Sequence, residues 1–317
     1  MEKDKKDIFE NSVFYSYLVK AKLRDALLYL KQYPEKMEEY QKYKAIFERE
    51  EYLKYEVDTF LNEILLIYQK YYRDVFYLEI SDTVAEEIMR KRFISLFEIE
   101  NNDMNFDEIE DTYIEKTFEE HGFGFLGDTT SGFYGPYIWK ETEVREYKVE
   151  LPDGIQEYQI KVLDGFISKS WLDYLSFGGV GTGGWVSGYD GLINCVKESY
   201  DFTSEKFLVS FLKHEAQHVM DKKKYPDMLS SEQLEYRAKL VEMIYSKERN
   251  LLKQFASEAD TSNAKNGHAM AANRIVEGFK KIGKDVDTCS TEDIQTIARR
   301  LFIQSNEDVM QNQNTVR

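Results

Sequence analysis

The stretch FLVSFLKHEAQHV, residues 207–219, contains the pattern H-E-x-x-H from His214 to His218. Apolar residues recur at helical spacing around this pattern, which predicts an amphipathic helix. Positions i and i+4 of a helix lie one turn apart on the same face, so both imidazoles can reach one metal ion. Glu215 is adjacent and is the predicted general base, because its carboxylate can take a proton from a water molecule at the metal.

The third metal ligand is expected on the next helix. A metal site that also holds a water molecule needs three protein ligands. Ser230 and Gln233 have the form of a capping box, so a new helix is expected to begin there. Glu235 lies in the second turn of that helix and is the predicted ligand. Glu232 and Glu242 lie near the same face and are the alternatives.

This set of residues resembles the gluzincin branch of the zincin metallopeptidases, the group that includes thermolysin. That branch carries H-E-x-x-H on one helix and a zinc-binding Glu on the next. The matching residues are His214, Glu215, His218 and Glu235, and the resemblance covers only about residues 204–242. It implies one zinc ion (Zn²⁺) per chain and hydrolysis of a peptide bond by an activated water molecule.

Four further residues are candidates for supporting roles. Gluzincins similar to thermolysin use a downstream His to stabilise the oxyanion, and His268 is the only His after the motif. The resemblance therefore implies a catalytic role for His268. Tyr236 and Tyr245 are alternative donors to the same oxyanion. Asp221 shares the helix face of the two motif histidines and is either a carboxylate that orients an imidazole or a surface residue at a helix end.

The positions of the glycines divide the sequence into two regions. None of the 17 glycines precedes Gly122, and residues 1–121 are rich in Glu, Lys, Leu and Tyr, which predicts a helical region. Asp82 is expected to cap the third helix of this region, and Gly122 to end the fourth. The expected helices lie near residues 8–32, 36–78 (with one break), 82–98 and 106–121.

Residues 122–317 are predicted to form a zincin-like catalytic domain. Its first part, residues 122–200, is expected to be a small Gly-rich antiparallel sheet. Two alternating stretches there flank Pro152-Asp153-Gly154, which is typical of a hairpin. Residues 201–304 are expected to form the active-site helices, followed by a frayed tail at 305–317. These helices are predicted near 204–223, 231–258, 267–282 and 291–303. The expected fold class is α+β.

A glycine-rich segment, residues 178–184, precedes the motif helix. It satisfies G-x-G-x-x-G formally, but no helix is expected to follow directly, so a dinucleotide site is not predicted. Its glycines would permit close approach of an extended substrate strand, as zincins use at a sheet edge. A plain flexible turn is the equally good alternative.

The composition of the chain limits the classes of molecule that it can bind. The chain has 42 Lys and Arg against 58 Asp and Glu, a net charge of -16, so it repels nucleic acid. Residues 1–121 hold 18 of these basic and 29 of these acidic residues, which indicates either a docking face for a protein or a solvated helix surface. No signal peptide or membrane-spanning stretch is visible, and two isolated cysteines fit a reducing compartment. We therefore expect a cytoplasmic protein that does not bind membranes.

The sequence predicts a zinc metallopeptidase, a hydrolase whose substrate is a peptide or a protein. One alternative is a non-catalytic regulatory or scaffold protein that retains a zinc site and docks through its acidic helical region. Another is a metal-dependent hydrolase of a non-peptide amide.

Overall fold

The computed structural model describes residues 8–187, 191–261 and 266–315. Its fold class is α+β, as predicted. The chain forms two compact units. The N-terminal unit comprises Met1–Thr142 and Asp164–Thr182, and the motif unit comprises Glu143–Leu163 and Gly183–Arg317.

The described elements follow in chain order. The α-helices are α1 Asn11–Val19, α2 Leu23–Leu30, α3 Met37–Phe47, α4 Thr59–Tyr72, α5 Asp82–Leu96, α6 Phe106–Ile109, α7 Glu115–Glu120, α8 Ser170–Leu175, α9 Leu212–Lys224, α10 Ser231–Tyr245, α11 Leu251–Glu258, α12 Gly267–Lys281 and α13 Thr291–Thr315. The strands are β1 Gly124–Leu126, β2 Thr129–Thr130, β3 Phe133–Tyr134, β4 Tyr137–Trp139, β5 Glu141–Leu151, β6 Gly154–Asp164, β7 Ser168–Lys169, β8 Gly184–Ser187 and β9 Leu192–Val196.

The predicted helices of the first 121 residues are present, with more breaks than expected. Residues 8–32 form two helices, and the chain turns between them at Ala21, whose φ is 58°. The expected cap at Asp82 is wrong: Ser81 holds the N-cap position of α5 without a side-chain cap hydrogen bond, and Asp82 is the first helical residue. Gly122 ends the fourth predicted helix as expected, with a φ of 81° that suits glycine.

The N-terminal unit extends beyond the boundary predicted at Gly122. Phe125, Ile138 and Trp171 lie in the same hydrophobic core as the buried face of α4. Strands β1, β4 and β7 form a three-stranded sheet in this unit, and β2 pairs with β3. The division observed at residue 142 therefore follows the core, since apolar side chains after Gly122 complete it.

Glu110 is a buried carboxyl in this unit. The Tyr68 hydroxyl donates to its Oε1 at 2.6 Å, and the backbone N–H of Asp128 donates to its Oε2 at 2.6 Å. Burial raises the pKa of Glu110 to about 7, although these two hydrogen bonds oppose the rise. The folded state therefore keeps a proton on Glu110 to a higher pH than an exposed carboxyl would.

We expect the stability of the N-terminal unit to fall as pH rises from about 4.5 to about 7. Across this window the folded state binds more protons than the unfolded state, so the free energy of unfolding decreases with pH. Glu110→Gln should remove this slope and gain about 1–3 kcal/mol relative to wild type between pH 5 and 8. Urea unfolding, monitored by pulsed hydrogen exchange in peptides from α4, measures the free energy of unfolding of each protein as a function of pH. Equal slopes in the two proteins would contradict it.

The motif unit contains a four-stranded sheet in the order β5-β6-β9-β8. The predicted hairpin is confirmed as β5 and β6, and Gly154 in its turn has a φ of 122°. The antiparallel pairing predicted over 122–200 holds for β1 with β4, β4 with β7 and β8 with β9, but β6 and β9 pair in parallel, with Ile160 opposite Ile193. Residues 165–191 separate β6 from β9 in the sequence, and parallel neighbours require such a long connection.

Helix α10 organises the rest of the motif unit. It packs against α9, α12 and α13, and most of its residues after the second turn are buried. A π-helical turn, Lys206–Phe211, precedes α9 and places Phe207 and Phe211 in the core beside the hairpin strands. The predicted helix 231–258 is two helices, and α13 continues through the expected tail to Thr315.

Within the described residues, no helix is both long and apolar enough to cross a membrane.

Candidate metal centre

Helices α9 and α10 bring three predicted ligands together. His214 Nε2 lies 3.0 Å from His218 Nε2. Glu235 reaches both rings, with Oε2 at 3.4 Å from His214 Nε2 and Oε1 at 3.4 Å from His218 Nε2. The capping box that begins α10 is present as predicted, since Ser230 accepts from the N–H of Gln233 and the Gln233 side chain accepts from the N–H of Ser230.

The spacing of these atoms fits a zinc ion. Ligand atoms about 2.1 Å from a tetrahedral zinc lie about 3.4 Å from one another. The three observed separations of 3.0, 3.4 and 3.4 Å are close to that value. Two imidazoles and one carboxylate are a common protein donor set for catalytic zinc.

A buried carboxylate fixes the orientation of one imidazole. Glu242 Oε1 lies 2.6 Å from His214 Nδ1, and both residues are buried. In the neutral ring, the Nδ1–H donates to this carboxylate and the Nε2 lone pair is directed toward His218 and Glu235. Glu242 therefore sets the tautomer that a metal ligand requires.

The electrostatics of the cluster favour positive charge at its centre. Burial opposes protonation of His214, but Glu235 and Glu242 outweigh burial and raise its pKa to about 10. Burial also opposes the ionised form of Glu235, yet contacts with three imidazoles hold its pKa below the usual value. The same surroundings that attract a proton attract a metal cation.

Two buried atoms of the cluster lack a hydrogen bond among the described residues. One is His218 Nδ1, and the other is Glu235 Oε2. Glu235 Oε2 lies 2.9 Å from His268 Nδ1, an ion-pair distance without hydrogen-bond geometry. Because buried polar atoms normally have a hydrogen-bond partner, the lack of one at Glu235 Oε2 is consistent with a bound cation.

Glu215 and His268 lie at the cavity beside the ligand cluster. This cavity has a volume of about 480 Å³, and both residues line it together with His214. The Glu215 carboxylate makes no hydrogen bond or ion pair with the described residues, so it is available to a water molecule. The side chain of His268 is 65% exposed and contacts Glu235, which places it at the mouth of the site.

The alternative ligands have other partners. Glu232 pairs with Arg274, at 3.2 Å, and Glu242 binds the far side of the His214 ring. Of the three carboxylates weighed from the sequence, Glu235 is the one beside both Nε2 atoms.

Asp221 does not orient an imidazole. It is fully buried and accepts from Arg237 Nε at 2.8 Å and from Gln217 Nε2 at 2.9 Å. Arg237 also donates to Ser305 at 2.7 Å. The pair therefore ties α9 and α10 to α13, and Arg237 is a structural residue that the sequence patterns did not indicate.

Of the three predicted donors to the oxyanion, His268 lines the cavity. Neither Tyr236 nor Tyr245 lines the cavity, although both side chains are described. Tyr200 does line it, and burial raises the pKa of its hydroxyl, which keeps the proton available for donation. No sequence pattern indicates Tyr200, because it lies outside the motif helices.

Comparisons of the chain with family models, with curated proteins and with solved structures found no match.

We expect His218→Ala to lose zinc. Wild type should hold about one zinc per chain, and at zinc concentrations about 100 times the dissociation constant it should gain about 2.7 kcal/mol of stability. Elemental analysis and thermal unfolding, each with and without a chelator, measure both effects. His121→Ala is the matched control, because His121 is exposed and lies in the N-terminal unit. A His218→Ala protein with full zinc content would contradict the site.

Glu242→Gln should weaken zinc binding about 10–100-fold without removing a ligand, because the amide orients His214 less strongly than a carboxylate. Competition with a fluorescent zinc chelator gives the dissociation constant. Glu232→Gln, on the same helix, should leave the constant near wild type. Equal affinities in the two variants would contradict the orienting role of Glu242.

Asp221→Asn should destabilise the motif unit by about 3–5 kcal/mol, because it leaves the buried Arg237 without its counter-charge. Zinc stoichiometry of the folded protein should stay at one per chain. Denaturant unfolding and elemental analysis separate the two quantities. Loss of zinc at unchanged stability would instead indicate a direct role in the metal site.

Proposed function

We propose that this chain is a zinc-dependent metallopeptidase of the gluzincin type. The observation that carries the proposal is the convergence of His214, His218 and Glu235 beside a cavity that is also lined by Glu215. A ligand cluster alone would suit a structural zinc. Hydrolysis also needs a general base, and a carboxylate without a partner beside an open cavity can serve as one.

His214, His218 and Glu235 are the proposed metal ligands. A zinc ion bound there would supply Lewis-acid activation of a water molecule and of the substrate carbonyl. The three ligand atoms lie within 4.8 Å of one another, beside the cavity.

Glu215 is the proposed general base. Its carboxylate lines the cavity and has no partner among the described residues, so it can accept a proton from a water molecule. The same carboxyl then donates that proton to the leaving amine. His268 keeps the oxyanion role that the resemblance implies, and Tyr200 is a second donor at the cavity wall.

Strand β8 is the proposed support for an extended substrate. It is the last strand in the order β5-β6-β9-β8, and its first residue, Gly184, lines the cavity with Gly183. A Cβ at Gly184 would collide with the carbonyl oxygen of Asn194 and with the Phe211 ring. Glycine thus permits the close packing of β8 that brings a sheet edge to the cavity.

The proposed compartment is the cytoplasm. Cys195 and Cys289 are both buried and free, as expected under reducing conditions. The proposed substrate is a peptide or a protein, and the acidic N-terminal unit is a candidate surface for protein docking.

Glu215→Gln should abolish peptidase activity while zinc content stays near wild type. The amide keeps the size of the side chain but cannot accept a proton, so the rate should fall at least about 10²–10⁴-fold. Hydrolysis of a mixed peptide library, at matched zinc occupancy, measures the loss. Glu248→Gln is a matched control, because Glu248 also lines the cavity but is exposed.

Two results would overturn this proposal. Equal cleavage by wild type and Glu215→Gln would remove Glu215 as the base. No cleavage by wild type over a broad library would favour a regulatory or scaffold protein that retains zinc.

A further inference from the structure

A lysine is buried in the wall of the same cavity. Lys239 lies on α10, one turn after Glu235, and its side chain is only 6% exposed. It lines the cavity together with His214 and Glu215. Neither the ligand set nor the general base accounts for a cation at this position.

Burying an ammonium costs free energy unless the charge is paired and hydrogen-bonded. Lysine is rarely buried, and an apolar side chain of similar size would pack α10 at no desolvation cost. The Phe255 ring lies under the ammonium, with its centroid 4.1 Å from Nζ. The ring face therefore stabilises the ammonium by a cation–π contact while the lysine lines the cavity.

The ammonium has more donors than protein acceptors. Its hydrogen-bond partner among the described residues is Glu258, whose Oε2 lies 2.7 Å from Nζ. An ammonium carries three N–H donors, so two remain after this bond. The Glu258 side chain is 48% exposed, at the last residue of α11, so water can solvate it if it leaves the lysine.

We propose that Lys239 is a specificity-determining residue that binds a substrate carboxylate next to the scissile bond. This inference rests on the proposed function of the same site. Four residues of helix span about 6 Å, and one extended peptide residue spans about 3.3–3.6 Å. The preferred substrate therefore carries a carboxylate within about two residues of the bond that is cut, from an acidic side chain or from the C-terminus. In the absence of substrate, the Glu258 carboxylate pairs with the ammonium.

Binding to the zinc-loaded Glu215→Gln protein tests this proposal without turnover. Three N-terminally blocked pentapeptides of alanine are titrated by calorimetry. The first has a central glutamate and an amidated C-terminus, the second has a central glutamine and an amidated C-terminus, and the third is all alanine with a free C-terminal carboxylate. We expect at least one carboxylate peptide to bind about tenfold more tightly than the glutamine peptide. The first and third peptides distinguish a side chain from a C-terminus as the source.

Four variants in the same background locate the preference. Lys239→Met should abolish it, and Lys239→Arg should retain it at least in part. Glu258→Gln should strengthen it, because the competing carboxylate is gone. Lys253→Met is the matched control, since Lys253 is an exposed lysine of α11 that pairs with Asp287. Zinc content and thermal midpoint are measured for each variant, so that a folding defect is recognised.

The outcomes separate this inference from the proposed function. Binding of all three peptides within twofold of one another would overturn the role of Lys239 and leave the peptidase proposal intact. A carboxylate preference that persists in Lys239→Met would also overturn it, because the zinc ion would then be the carboxylate's partner. Absence of binding by every peptide would contradict the peptide-binding cavity itself, and with it both proposals.

Discussion

The packing of α9 against α10 is the contact on which the candidate site depends. The histidines lie on α9, and Glu235 and Glu242 lie on α10. Neither helix alone holds more than part of the cluster. The buried pair of Asp221 and Arg237 joins the same two helices, so the stability of the unit and the geometry of the cluster depend on one interface.

Features set by neighbouring residues could be predicted from the sequence, whereas features set by distant contacts could not. The helix around His214 and the capping box at Ser230 follow from local spacing, and both are present. Which of the three carboxylates faces the histidines depends on the rotation of α10 about its own axis. The residue at which the helix starts constrains that rotation and favours Glu235. The parallel pairing of β6 with β9 joins strands that are separated by a long connection, and no local pattern indicates such a partner.

The same distinction explains the residues that were missed. Tyr200 and Lys239 reach the cavity only through the tertiary arrangement of their elements. The sequence predicts Glu242 as an alternative metal ligand, but its role as partner of His214 Nδ1 depends on side-chain geometry. The boundary of the N-terminal unit likewise follows a shared hydrophobic core, and composition alone placed it at the first glycine.

Helix α10 sets the spacing of three side chains at the site. Glu235, Lys239 and Glu242 follow one another at intervals of four and three residues, so they project from one face. A single inserted residue between them would turn the later positions by about 100°. The loop before α10 tolerates changes in length far better, because it contributes no group to the cluster. Related chains should therefore preserve the spacing E-x-x-x-K-x-x-E after H-E-x-x-H while the distance between the two patterns varies, and this joint signature is a means of finding them.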